Sequence, residues 1–405
     1  MTTVAGGDQL LIDGIKSNDF AMFQRGLDCG GNVDVMATEA DPALDYAHPY
    51  PLLIYVLARK EFNKDIYAAL IKKNPNVTAG SIKNFTPLMA AAHYHHNEIF
   101  DELLARGADV HSVHSGLNVN VCYFAAMGGN MSILNRCVAE YRQDPLQVSL
   151  FGKTTAIVAI MSKHIEVAKY LIEHYGVDPN KPDNEGFTPF MAACRVGTIE
   201  MVQYLFEVCK VDPTKVQLDG SSSALYTAAV NGHLEVVKYL LEVCKVGNIN
   251  QKYFNGYTAV NVAANKGHLE IVKLLCTQGK ADFSVTTDQK SNSFTEAARW
   301  GHLDVVRYIC EEVGTLVELN CKVHEKYLAL NLSRLNKHIS VVQYLTENIC
   351  QWVVEENLTK VVETLAADPN LNISVPLPVR KVANGEYGAF ECRLPLGKAL
   401  QFVLN

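Results

Sequence analysis

The chain has 405 residues, 48% apolar and 20% charged, with 36 basic against 43 acidic side chains and a net charge of −7. That much apolar surface excludes an intrinsically disordered polymer, and a modest negative charge without long runs of either sign argues against nucleic acid as a partner. No stretch approaches about 18 uninterrupted apolar residues, and the opening "MTTVAGGDQLLIDGIKSNDF" has neither a basic n-region nor an apolar h-region, so the sequence predicts no membrane insertion and a cytoplasmic location, the nucleus not excluded.

From the N-terminus, "QLLIDGIKSNDFAMFQRGL" (9 to 27) and "YPLLIYVLARKEF" (50 to 62) carry helical spacing without sharp start signals. The signals sharpen at "FTPLMAAAH" and again at "FTPFMAACR". Thr86 and Thr188 are predicted to cap a helix through their hydroxyls, with Pro87 and Pro189 at the first helical position, where no N–H is needed. Further along, "NGHLEVVKYLLEVCKV" (231 to 246) recurs as "KGHLEIVKLLCTQGKA" (266 to 281) and "WGHLDVVRYICEEVGT" (300 to 315). Gly197, Gly232, Gly267 and Gly301 are spaced by 35, 35 and 34 residues. In the first of these copies Leu234, Val237, Leu240 and Leu241 form one helical stripe, and a shorter alanine-rich segment precedes each copy, as in "SALYTAAV". Each period therefore predicts two helices joined at a glycine with φ > 0.

This pattern resembles the ankyrin repeat, whose signature is T-P-L-H-x-A, a G-H turn, a second helix and a loop ending in a β-turn. The resemblance implies an all-α ankyrin-repeat solenoid of about eleven helix-turn-helix units with short β-hairpin-like loops, running almost continuously from residue 9 to 373. Clear units begin near Asn84, Gly152, Glu185, Ser221, Gly256 and Ser291, weaker ones near Asn118 and Glu325, and a degenerate one covers 352 to 370. Residues 1–47 are expected to be an N-terminal capping repeat and loop, 48–373 the array, and 374–405 a C-terminal cap or partial repeat, with a docking tail as the alternative. The sequence departs from the signature at the T-P-L-H histidine, replaced by Met89, Met191, Tyr226 and Asn261, and at the turn glycine, replaced by Lys163 and Lys337.

The repeat also explains the cluster "AAAHYHHNEIF" (90 to 100). His95 falls on the turn-glycine position and His96 on the histidine of G-H, with counterparts at His164, His233, His268, His302 and His338. A residue recurring once per repeat reads as structural, its imidazole bonding to neighbouring backbone. Since His95 is where the helix breaks, His93 and His96 do not form a metal pair, and neither a metal site nor a cofactor is expected. The eleven cysteines form no C-x-x-C pair, and Cys194, Cys209, Cys244, Cys276 and Cys310 are expected to be reduced core thiols.

No complete nucleotide, zinc-protease or hydrolase motif occurs. "GKTTA" (152 to 156) lacks the upstream glycine of a phosphate loop and is a repeat start. Function then falls on what does not repeat, the paired variable positions before each turn and the loop tips. His93, Tyr94, Arg195, Lys266, Arg299 and Trp300 occupy the former; Phe187, Tyr253, Phe254, Tyr257 and Tyr327 the latter. Aromatic residues and arginine are what buried contact centres favour, although loop aromatics also pack on the adjacent repeat. The resemblance implies that these slots line a concave groove. The expected function is a non-enzymatic scaffold or adaptor holding one or more proteins there, with no small-molecule substrate. The alternatives are a regulatory subunit that occludes an enzyme or presents substrate to it, and an enzyme with a cross-repeat Cys/His site.

Overall fold

The computed structural model describes residues 6–37, 49–313 and 323–346 and the strands Val375–Pro378 and Ala389–Cys392. The chain divides into two compact units, Met1–Asp219 and Gly220–Asn405. In the first, helices come in pairs: α1 (Gly6–Lys16) with α2 (Phe20–Asp28), α3 (Leu52–Leu57) with α4 (Lys64–Ile71), α5 (Pro87–His93) with α6 (Asn97–Ala105), α7 (Val121–Gly128) with α8 (Met131–Ala139), α9 (Thr155–Met161) with α10 (Ile165–Tyr175), and α11 (Pro189–Val196) with α12 (Ile199–Gln203). The second holds α13 (Ala224–Val230) with α14 (Leu234–Glu242), α15 (Ala259–Lys266) with α16 (Leu269–Thr277), α17 (Ser293–Trp300) with α18 (Leu303–Tyr308), and α19 (Val323–Leu335) followed by a helical segment at 339–346. Within each unit the first helices of consecutive pairs stack in one layer and the second helices back them.

The starts follow from side-chain chemistry. Thr86, Thr154, Thr188, Ser223, Thr258 and Asn292 each accept a hydrogen bond from the backbone N–H three residues on, satisfying one donor that the first turn leaves without a partner. The first helices are then nearly all core. Ala90, Ala91, Ala92, Ala125, Ala126, Ala192, Ala193 and Cys194 are fully buried, and their small side chains permit the close stacking. Asn261, in the slot of the family histidine, is also fully buried. It closes a reciprocal box with Thr258 and donates from Nδ2 to Val285 O at 3.1 Å and Ser293 Oγ at 3.0 Å.

The reversal between helices has the expected geometry. Gly267 lies at φ +75°, and a Cβ there would drive into the imidazole of His302, whose Nε2 donates to Asn265 O at 2.9 Å. His96 likewise donates to Leu57 O at 2.8 Å and His268 to Val230 O at 3.4 Å. Where glycine is missing, His95, Lys163 and Lys337 hold φ of 64°, 65° and 62° themselves.

The ends of the second helices depart from expectation. Turn glycines lie 34 or 35 residues apart, against about 33 for an ankyrin unit, and the extra length is absorbed by widening the last turn. Tyr204–Val208 and Ile309–Val313 are π-helical. Cys209 N donates to Tyr204 O and Cys244 N to Tyr239 O, both at 3.1 Å, each spanning five residues. This widening corrects the reading of the cysteines. Cys194, like Cys122 and Cys137, is buried, but Cys209, Cys244, Cys276 and Cys310 are only half-buried, because they sit where the second helix ends and one side faces solvent.

Loops connect the pairs and bond to one another tip to tip. In the first unit Ser115 N donates to Lys83 O, Leu150 N to Leu117 O, Asn184 N to Phe151 O and Leu218 N to Glu185 O. In the second, Phe254 N donates to Ser221 O and Asp288 N to Asn255 O. Among the described residues two antiparallel strand pairs are present, β1 (Met36–Ala37) with β2 (Tyr50–Pro51) and β3 (Val375–Pro378) with β4 (Ala389–Cys392). The second pair lies in the segment expected as a cap. The degenerate unit at 352–370, the loop at 38–48 and the terminal "LPLGKALQFVLN" fall outside the described residues.

Candidate functional site

The candidate residues with described side chains fall into three groups, two in the first unit and one in the second. In the first unit His93 and Tyr94 close α5, their rings 4.6 Å apart and T-shaped. The His93 ring is largely enclosed, with Nδ1 shut off from solvent and without a hydrogen bond among the described residues. Burial pulls its pKa down to about 4, against a backbone hydrogen bond at Phe124 that acts the other way. Gly128, which follows Met127 in the next variable pair, is buried directly against the His93 backbone, where a Cβ would collide with the His93 carbonyl. Nearby, His95 Nε2 donates to Gly128 O at 2.6 Å. The histidines thus hold neighbouring repeats together, and no group of three or more metal-ligating side chains is gathered among the described residues.

The second group is Phe187 with Arg195. Phe187, expected at a loop tip, is only 7% exposed, and the Arg195 guanidinium lies 5.9 Å over its ring. The ring is spent on packing because the loop folds back toward its own helix: Phe187 N donates to Asp183 Oδ1 at 2.9 Å. Arg195 is the exposed member of the pair.

The third group lies in the second unit and centres on a residue that the sequence reading passed over. Glu296, on α17, is fully buried. Its Oε2 accepts from the Tyr257 hydroxyl at 2.9 Å and from Asn265 Nδ2 at 2.8 Å. Its Oε1 faces Arg299 Nη1 at 3.6 Å, an ion pair too long for a hydrogen bond. Arg299 is held in turn by Gln289 Oε1 at 3.1 Å and Ser291 Oγ at 3.0 Å. Burial, and next the carboxylate, push the Tyr257 phenol up to about 12, so it stays a donor. The network joins the loop before α15, the end of α15, and α17.

Around this floor stand the exposed groups. Trp300, the last residue of α17, is 55% exposed, and Lys266 holds the same place at the end of α15. Tyr253 is half-buried, its ring 5.0 Å from that of Tyr226, and its N–H donates to Tyr257 O at 2.8 Å. Phe254, at the loop tip, is 62% exposed. The structure therefore brings Tyr257 and Arg299 together, with Lys266 and Trp300 at adjoining helix ends. It also makes Arg299 a partner of Glu296 rather than a free anchor. Tyr327, expected at a loop tip, lies instead within the helix α19, and its side chain is outside the described residues. Glu296 carried one signal, a charged residue in a slot that holds Ala90, Ala192, Thr227 and Val262 elsewhere.

No helix among the described residues is long and apolar enough to cross a membrane. A search of curated proteins returned no match. Family models do match: one described as ankyrin repeats (3 copies) over residues 122–217, 208–287 and 225–320, and one described as ankyrin repeat over 83–115. With the paired helices, capped starts and left-handed turns, these matches make the chain a member of the ankyrin-repeat family, an all-α repeat fold whose repeats generally serve protein–protein interaction.

Proposed function

We propose that the chain is a non-enzymatic scaffold or adaptor of the cell interior, which binds a protein partner on the face formed by the first-helix ends and loops of the second unit. The observation that supports this most directly is Trp300, a large aromatic left 55% exposed at a helix end whose floor is fixed by the Glu296 network. An exposed aromatic on a rigid base loses little freedom on binding, which is why such residues dominate contact energies. Arg195, His93 and Tyr94 are the corresponding groups of the first unit.

The test is affinity capture from the native cell, comparing the full chain with Trp300→Ala. Removing a central aromatic anchor commonly costs about 2 kcal/mol or more, so specific partners should be lost by more than roughly tenfold at unchanged helical content. Undiminished capture would move the site away from this face. Turnover in a hydrolase and transferase screen of the purified chain would replace the scaffold reading with an enzyme.

A further inference from the structure

The charges of the second unit's face are not equally available. Arg299 is committed three ways, to Glu296 by charge and to Gln289 and Ser291 by hydrogen bonds. A partner carboxylate that drew it away would leave Glu296 buried without its counter-ion, at a cost exceeding that of most surface contacts. Glu296 itself is fully buried beneath Tyr257, Asn265 and Arg299, so a partner's basic group finds no carboxylate to meet. Tyr257 donates its hydroxyl inward and offers only its ring. What remains for a partner at these helix ends is the Lys266 ammonium, exposed at the end of α15, and the Trp300 indole in the same slot one repeat on, with the exposed Phe254 on the loop before α15, while the exposed Asp288 and Lys290 of the next loop offset each other's charge.

We propose that the occupant of this face is an acidic peptide segment that places an Asp or Glu carboxylate on Lys266 and a large apolar or aromatic side chain against Trp300. This rests on the proposed interaction role and assigns the chemistry of the partner. The buried Glu296–Arg299 pair acts as an internally neutral base that leaves Lys266 to set the charge preference, and the aromatic rings supply the apolar contact.

The probe is a phage-displayed library of random linear peptides, selected on the full-length chain. Enriched sequences should combine an Asp or Glu with an aromatic or large aliphatic residue. A synthetic peptide of the consensus should lose roughly tenfold in affinity on Lys266→Ala and on Trp300→Ala, and the same peptide with its acid changed to Lys should bind Lys266→Glu better than wild type. Circular dichroism of each variant confirms the fold. Enriched peptides that need Trp300 but carry no acid, or carry Lys or Arg in its place, would overturn the acidic assignment while leaving the interaction face intact. No enrichment, or peptides indifferent to both substitutions, would overturn the face as well.

Discussion

Two first helices, one in each unit, bury a polar group in opposite ways. At the end of α5, His93 is enclosed without a counter-charge and stays neutral, burial having pulled its pKa to about 4. On α17, Glu296 is fully buried and compensated by Arg299, with two further hydrogen bonds on its other oxygen. A group that sheds its charge needs only close packing, here the glycine contact at Gly128, whereas a carboxylate needs partners drawn from three segments. The first arrangement makes a tight joint that responds to acid. The second makes a joint that depends on an ion pair and fixes the surface around it.

The sharpest way to break the comparison is to remove the counter-ion. Arg299→Ala should destabilise the chain by about 3 kcal/mol, the low end for a broken buried pair because the Arg299 side chain is 24% exposed. Glu296→Val with Arg299→Ala together should recover part of that loss, since Val262 fills the same slot one repeat earlier, while the Tyr257 hydroxyl and the Asn265 amide lose their acceptor. Denaturant unfolding of the single and double variants measures both. An equal loss in the two would mean that Glu296 needs no charge partner.

The next effect is steric and belongs to the glycine contacts. Gly267→Val places a branched residue at φ +75° and a Cβ in the His302 ring, and should cost about 1–3 kcal/mol from backbone strain alone. Limited proteolysis should start at that repeat, because a solenoid couples mainly to nearest neighbours.

The smallest effect concerns acid. His93, His96, His114, His164 and His268 all have pKa values lowered by burial. A lowered folded pKa means that the unfolded chain binds more protons as pH falls. The stabilisation is therefore fully present above about pH 6.5, the unfolded value, and is lost below it; for His93 the loss continues down to about 4. Melting temperature should fall between pH 7 and 5, and His93→Gln should flatten that slope. A pH-independent melt would show these rings to take up protons in the fold as readily as in the unfolded chain.

What was legible in the sequence was local. The caps at Thr86 and Thr188, the left-handed Gly267 and the histidines bonding to a neighbouring repeat each depend on a few residues repeated at a fixed period. Glu296 was not legible, because its meaning depends on Tyr257, 39 residues away, and Asn265, 31 away. The burial of Phe187 goes with its register: Phe85 and Phe187 stand immediately before the capping Thr86 and Thr188 and are enclosed, whereas Phe151 and Phe254 stand three and four residues before Thr154 and Thr258 and are exposed. The π-helical ends follow from one or two residues of surplus length, which the period reveals but does not place.

The tip-to-tip bonds between loops constrain how such a chain can lengthen. A loop of this kind brings a donor for the loop before it and an acceptor for the loop after it, as Leu150 and Phe151 do with Leu117 and Asn184. A whole copied unit therefore enters with its connections balanced, while a partial insertion would strand an N–H on one side and a carbonyl on the other. The identical "EVCKV" at 207 to 211 and 242 to 246 is what growth by complete units leaves behind.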